Sequence, residues 1–341
     1  MITFVTAHPD RVAGLAAIPS GAKKALAAYP ELAAVLAAAI GGRTVQRPLA
    51  WLAARQGIDV LLAILVFATA VTIDPAALRR ASAAWRHLLA AAITGVTVLP
   101  ALSWAAARLV APGPLRDGVL TVGLAPCEIA SVATTALAGG EAALAAAVLI
   151  GSTLTTVVLA GPILSLEAGS SAQGTISPAS VIASLALVVA LPLAAGLTAR
   201  AAVPRVLATP RAGSIASRTA LAAVAALVAL VASEVRLSVS YGAVAAALVL
   251  FILGSALAGR ALGVRTTRPA RSALLLTTSM RDFAIAAGLA TAAFGPAAAA
   301  PLGLYGIAVL IWGTALAGAL RHRAPRIRGH GHGARYGTPG T

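Results

Sequence analysis

The chain has 341 residues, of which 59% are hydrophobic and 11% charged, and its mean hydropathy is +0.91. A soluble domain carries about 25% charged residues, so this composition excludes an ordinary soluble protein and points to an integral membrane protein. The formal net charge of +16 would suggest a nucleic-acid partner in a soluble chain, but the basic residues gather between apolar runs without interleaved exposed aromatics, and they read as topology signals.

The opening stretch "MITFVTAHPDRVAGLAAIPSGAKK" lacks a basic start followed by an apolar core and a small-residue cleavage site, so residues 1–24 are predicted to be a tail and not a signal peptide. Uncharged runs bounded by Pro, Gly and Arg then predict membrane helices near 25–41, 57–73, 87–110, 118–138 and 142–165. A polar linker, "LEAGSSAQGTISP", follows, and five more are predicted near 178–199, 218–235, 241–260, 271–293 and 299–320. Alternating strand patterns are absent, which disfavours a barrel.

The predicted fold is therefore all-α, with ten transmembrane helices in two five-helix repeats. The first repeat takes residues 25–166, the linker 167–177, the second repeat 178–320 and a basic tail 321–341. Five is odd, so a second copy enters the bilayer inverted, the plan of many secondary transporters. Nineteen of the 26 basic residues then fall on one side and six on the other, which predicts both termini in the cytoplasm of a multi-pass cell-membrane protein.

The remaining basic residue, Arg281, lies inside the ninth predicted span with Asp282, in "LLLTTSMRDFAIAAGLA"; Glu128 lies inside the fourth, in "GLAPCEIASVATTALAGG". A carboxylate at the bilayer centre costs at least about 2.5 kcal/mol, so these groups are candidate site residues. Setting "CEIASVATTALA" against "RDFAIAAGLATA" pairs Glu128 with Asp282 at an offset of 154 residues. In the inverted-repeat plan such paired helices break near the midplane and cross. Pro126, which has no N–H, supplies a cause for the first break; the second has only its charges to explain it. Two readings stay open for the three charged groups: direct work on an ion or solute, or a structural ion pair with Arg281 that locks the crossover.

Ser131, Thr134, Thr135 and Thr277 are candidate hydroxyl ligands, against the alternative that they bond their own helix. Cys127, the single cysteine, excludes an intramolecular disulfide and a CxxC metal site; buried cysteine is usually a small hydrophobe. Asp59 reads as a helix-start residue, and His330 and His332 in the tail are too few to make a metal site. HExxH, GxSxG and GxxxxGK[ST] motifs are absent, so no enzyme or ATP-driven pump is predicted, and no cofactor beyond Na+ or H+ as a coupling ion.

"PCEIASVATTALAGGEAAL", together with "YPEL", "TVLPALSW" and "SMRDFAIAAGLA", resembles the bile acid:sodium symporter family, whose fourth helix carries Pro-Gly-Gly-x-Ala-Ser-Asn followed by a small-residue run. The resemblance covers most of residues 28–320. It implies a core of spans 3 to 5 and 8 to 10 around two crossed broken helices, a panel of the other spans, and alternating access of a small organic anion. The family's sodium ligands carry over poorly: Ser131 matches the motif serine, but Val132 stands at the asparagine position, Thr277 at the ninth-helix glutamate, Arg281 at the glutamine four residues on, and Gly95 at a third-helix glutamine. The resemblance thus implies a carrier in which sodium coupling is doubtful, with Arg281 as a fixed charge in place of sodium and Glu128 or Asp282 carrying a proton. Arsenite permeases of the same superfamily carry Pro-Cys at this position, which makes Cys127 a soft-ligand candidate and arsenite efflux an alternative; a non-transporting scaffold or sensor of the same fold is another. The implied partners are the lipid bilayer and an anionic small solute, with no nucleic acid.

Overall fold

The computed structural model describes residues 37–322 apart from 39, 43, 54–55, 82–83, 169–176 and 235–239. The N-terminal tail, the basic tail beyond His322, most of the first predicted span and most of the linker lie outside the described residues. Among those described, the secondary structure is helical, with one isolated bridge between Cys127 and Arg281.

The helices are α1 (Gln46–Ala53), α2 (Gly57–Thr72), α3 (Pro75–Ala81), α4 (Trp85–Val96), α5 (Val98–Ala107), α6 (Pro114–Leu124), α7 (Ala130–Leu137) and α8 (Ala142–Ala168). They continue with α9 (Pro178–Leu185), a π turn (Ala186–Ala190), α10 (Leu191–Ala202), α11 (Pro204–Leu207), α12 (Pro210–Glu234), α13 (Ser240–Leu262), α14 (Arg268–Ser279), α15 (Phe283–Phe294) and α16 (Ala300–His322). Among the described residues, six helical stretches are long and apolar enough to cross a membrane: Trp85–Ala107, Ala142–Glu167, Pro178–Ala202, Pro210–Ser233, Tyr241–Leu262 and Pro296–Arg321. With mean hydropathy this high and large hydrophobics such as Leu89, Ile93, Leu250 and Leu257 facing outward, the molecule is a multi-pass membrane protein.

Local chemistry explains where the helices bend or stop. Pro100 has no N–H to offer Val96 O, and the chain kinks at Thr97, whose φ of −121° and ψ of −65° separate α4 from α5. The fourth predicted span is split into α6 and α7 around Pro126, with Ala125 extended. The ninth is split into α14 and α15 around an extended Met280 and Asp282. No proline is involved there. The cause is Asp282 as an N-cap, its Oδ1 accepting from the amides of Ala284 and Ile285 at 2.9 Å each.

Two groups of helices pack together. α2 lies against α12 and α10, whereas α5 and α6, α13 and α14, and α6 and α15 form the packed set that holds both split helices. Small residues permit the closest approaches, as is usual where lipid supplies no hydrophobic drive between helices. A Cβ placed on Gly306 of α16 would lie 2.9 Å from the Phe283 ring, and one on Gly196 of α10 would lie 2.8 Å from Phe67 O of α2.

Candidate functional site

The two breaks meet. Glu128 N donates to Met280 O at 2.8 Å and Asp282 N donates to Pro126 O at 2.9 Å, so the extended residues 126–128 and 280–282 form a two-rung antiparallel bridge with Cys127 opposite Arg281. Backbone groups that leave a helix inside a membrane must find partners within the protein, and here each break satisfies the other. The offset of 154 residues that pairs Glu128 with Asp282 in sequence also separates Cys127 from Arg281, the central pair of this bridge.

The helices that follow the breaks secure it. Cys127 N donates to Ser152 Oγ on α8 at 3.1 Å, and Arg281 N donates to the Tyr305 hydroxyl on α16 at 3.1 Å. Thr156 Oγ1 of α8 donates to Leu124 O at 2.9 Å, and Trp312 Nε1 of α16 donates to Ser279 Oγ at 3.1 Å, fixing the ends of α6 and α14.

Glu128, Arg281 and Asp282 are all buried, none more than 4% exposed. Sequence reasoning allowed an ion pair among them, but their hydrogen bonds run elsewhere. Arg281 Nη2 donates to Ala125 O, the free carbonyl at the C-terminal end of α6, where the helix dipole favours a cation. Its Nε has no hydrogen-bond partner, and neither does Asp282 Oδ2. Glu128 Oε2 accepts from Phe283 N at 3.4 Å, and its carboxylate also faces the amides of Ile129 and Ala130. The N-terminal amides of α7 and α15 are therefore occupied by the protein's own carboxylates.

The neighbourhood of the guanidinium explains how it fits. A Cβ on Gly95 would lie 3.9 Å from Arg281 Nη2, so the absence of a side chain at 95 leaves the room that the guanidinium fills. Gly95 and Arg281 line a narrow pocket with Ala92, Leu124, Ser152 and Thr156. A second pocket lies on the side of α2 and α10. Val66, Thr69, Ala70, Ile73, Val189 and Leu193 form one wall, and Ile129, Leu149, Thr153 and Ile285 the other. This crevice ends on the first turns of α7 and α15, and Arg281 does not line it.

The hydroxyl candidates separate. Ser131 Oγ and Thr135 Oγ1 are buried without hydrogen-bond partners, so they have capacity for a ligand. Thr134 Oγ1 donates to Ala130 O at 2.7 Å and approaches Met280 Sδ at 3.6 Å, and Thr277 Oγ1 donates to Ala273 O at 2.8 Å, bonding within their own helices. Cys127 is fully buried and does not line the crevice. Among the described residues, no group of three or more His, Cys, Asp or Glu is placed to hold a metal ion. Ser152 and Tyr305 are site elements that sequence reasoning missed. They carry only a weak signal, since they stand 153 residues apart, one short of the repeat offset.

No curated protein matches the chain. The model of the family described as "Sodium Bile acid symporter family" matches residues 59–257, which takes in the split fourth span, Ser152 and the crevice walls on α2 and α10. With that match over more than half its length, this membrane protein of packed apolar helices belongs to the sodium bile acid symporter family, a family of transporters.

Proposed function

We propose that the protein is a secondary transporter that carries a small organic anion across the membrane together with a proton, by alternating access. In this reading ten spans form two inverted five-helix repeats, the set holding the split helices is the core, the set around α2, α10 and α12 is the panel, and both termini are cytoplasmic. The solute passes through the crevice between them.

The observation that carries the reading is the charge balance at the crossover. Two buried carboxylates, Glu128 and Asp282, share the crossover with one guanidinium, and that guanidinium is bound to the Ala125 carbonyl. With all three ionised the site holds one surplus negative charge. An anion arriving alone would double it in a region of low dielectric, where like charges repel strongly. An anion arriving with a proton leaves it unchanged. Sodium is disfavoured because its place at an unwound helix end is held by a covalently attached cation, and because Thr277 and Gly95 supply no carboxylate or amide oxygen.

The test is uptake into proteoliposomes enclosing a pH-sensitive dye, with organic acids from small 2-oxo acids to steroid carboxylates and protein-free liposomes as baseline. Proton entry that accompanies an acid, driven by an inward pH gradient and indifferent to replacing sodium by choline, is the expected result. Uptake that follows a sodium gradient and ignores pH overturns the coupling, and no movement of any acid overturns the transport reading.

A further inference from the structure

α13 ends at Leu262, α14 begins at Arg268 and α16 ends at His322, and arginine side chains tie these three helix ends together. Arg271 donates from Nε to Gly263 O at 3.0 Å and from Nη2 to Val264 O at 3.3 Å, and Arg268 Nη2 donates to Leu320 O of α16 at 3.4 Å. A Cβ on Gly263 would lie 2.6 Å from Arg271 Cγ, so the bare backbone there lets Arg271 lie across the turn. Arg260, Arg265 and Arg321 flank the same contacts in the chain, and all five arginines are exposed.

A patch of like charge this dense repels itself and attracts anions. Among the described residues, the acidic residue that hydrogen-bonds to these ends is Glu141, whose N–H donates to Pro269 O at 3.1 Å. It belongs to the turn between α7 and α8, not to α13 or α16. α4 begins at this end too: Ala84 packs in one apolar cluster with Ala270, and beside it Trp85 is exposed, with Arg86 Cζ 5.5 Å from its ring centroid. An exposed Trp at a helix end marks the level where hydrocarbon gives way to headgroups. Away from that level α13 presents Leu250, Leu253 and Leu257 outward, and Arg260 continues the same stripe at a three-residue step.

We propose that this corner of the molecule binds an anionic phospholipid, its phosphate among Arg260, Arg265 and Arg268 and an acyl chain along Leu257, Leu253 and Leu250. Guanidinium groups suit a phosphate because its oxygens accept paired N–H bonds. The apolar stripe that leads away from the charges matches a lipid tail, which free phosphate lacks. α14 leads into the break at Met280, and α16 carries the Tyr305 hydroxyl that holds Arg281 N. A lipid bound here therefore braces the helices that hold the crossover, whichever solute the protein carries.

The test is the melting temperature of the detergent-purified full chain with dioctanoyl phosphatidylglycerol, dioctanoyl phosphatidylcholine or inorganic phosphate at equal concentration. Ligands that bind the folded state raise it, and only phosphatidylglycerol is expected to do so. Arg260→Gln with Arg265→Gln, which leaves the hydrogen bonds of Arg268 and Arg271 in place, is expected to weaken that lipid at least about tenfold. Arg321→Gln, on α16, gives a readout in the same direction should the double variant not fold. Arg205→Gln with Arg211→Gln removes the same charge from the connection between α10 and α12, two crossings before Leu262 and hence on the same side of the membrane. That control is expected to leave the shift unchanged. An equal loss in the control assigns the effect to diffuse positive charge and overturns the site. So do phosphatidylcholine or inorganic phosphate that stabilises as well as phosphatidylglycerol, a shift that survives neutralising Arg260 and Arg265, or no shift with phosphatidylglycerol at all.

Discussion

Cys127 and Arg281 face each other across the antiparallel bridge where the two split helices meet, and exchanging 126–128 with 280–282 maps each rung of the bridge onto the other. The amides of both central residues donate to a hydroxyl on the helix that follows, Ser152 or Tyr305. The backbone is thus near-symmetric while the side chains are not: one centre carries a thiol and the other a guanidinium. The guanidinium crosses to the first half and ends on Ala125 O, so the positive charge at the crossover belongs to the chain itself.

Arg281→Gln tests that assignment. It leaves Glu128 and Asp282 buried without a compensating cation, and breaking a buried charge arrangement typically costs about 3 to 5 kcal/mol. The variant is expected to melt well below the parent chain and to lose uptake. Combining it with Thr277→Glu, Val132→Asn and Gly95→Gln rebuilds the oxygen ligands that the family resemblance implies for sodium. The quadruple variant is expected to regain stability on addition of sodium, seen as a rise in melting temperature with sodium over choline. Indifference to sodium in that variant would count against a cation site at the crossover.

Gly95→Leu isolates the space around the guanidinium. A Cβ at 95 already reaches van der Waals contact with Arg281 Nη2 at 3.9 Å, and the rest of a leucine must displace the head group from Ala125 O. Overpacking of this kind costs about 1 to 3 kcal/mol. Loss of uptake with a modest fall in melting temperature is the expected outcome, and Gly95→Ala is expected to remain near the parent chain.

The two carboxylates differ in what they hold, which separates charge from structure. Asp282 caps α15, and Asn is as good a cap, so Asp282→Asn is expected to keep stability, while Asp282→Ala loses about 1 kcal/mol. Glu128→Gln keeps the acceptor for Phe283 N and removes a charge. In both amide variants pH-driven accumulation is expected to disappear while solute-for-solute exchange across the proteoliposome membrane persists. Accumulation that still follows the pH gradient in the double variant Glu128→Gln, Asp282→Asn would remove these residues from the coupling step.

Much of this arrangement was legible in the residues. Uncharged runs of membrane-spanning length declared the helices, and Pro126 and the buried charges marked where two of them stop. Asp282 was read for its charge alone, although an Asp before an apolar run is also an N-cap signal that accounts for the second break. What stayed hidden depends on where side chains point. Nothing in the sequence says that Arg281 reaches for a carbonyl 156 residues away instead of its neighbour Asp282. Nor does it say that Thr277 turns its hydroxyl to its own helix while Ser131 and Thr135 leave theirs unpaired. The π turn was equally silent, because Pro192 lies in an Ala- and Val-rich run that otherwise suits an unbroken helix.

Tyr305→Phe and Ser152→Ala test whether the following helices hold the bridge together as one unit. Each removes the acceptor of a buried amide, Arg281 N or Cys127 N, and an unsatisfied buried donor costs about 1 to 3 kcal/mol. Tyr305 is fully buried and packs edge-on against Phe251 with ring centroids 6.2 Å apart, so removing its hydroxyl alone leaves that packing in place. Both single variants are expected to lower the melting temperature while remaining folded. Because the two amides flank one bridge, the first loss loosens the segment that the second hydroxyl holds, and the double variant is expected to deviate from additivity by at least about 0.5 kcal/mol. Strict additivity in that cycle, with uptake unaffected in both singles, would mean that Ser152 and Tyr305 anchor two independent breaks and not a shared crossover.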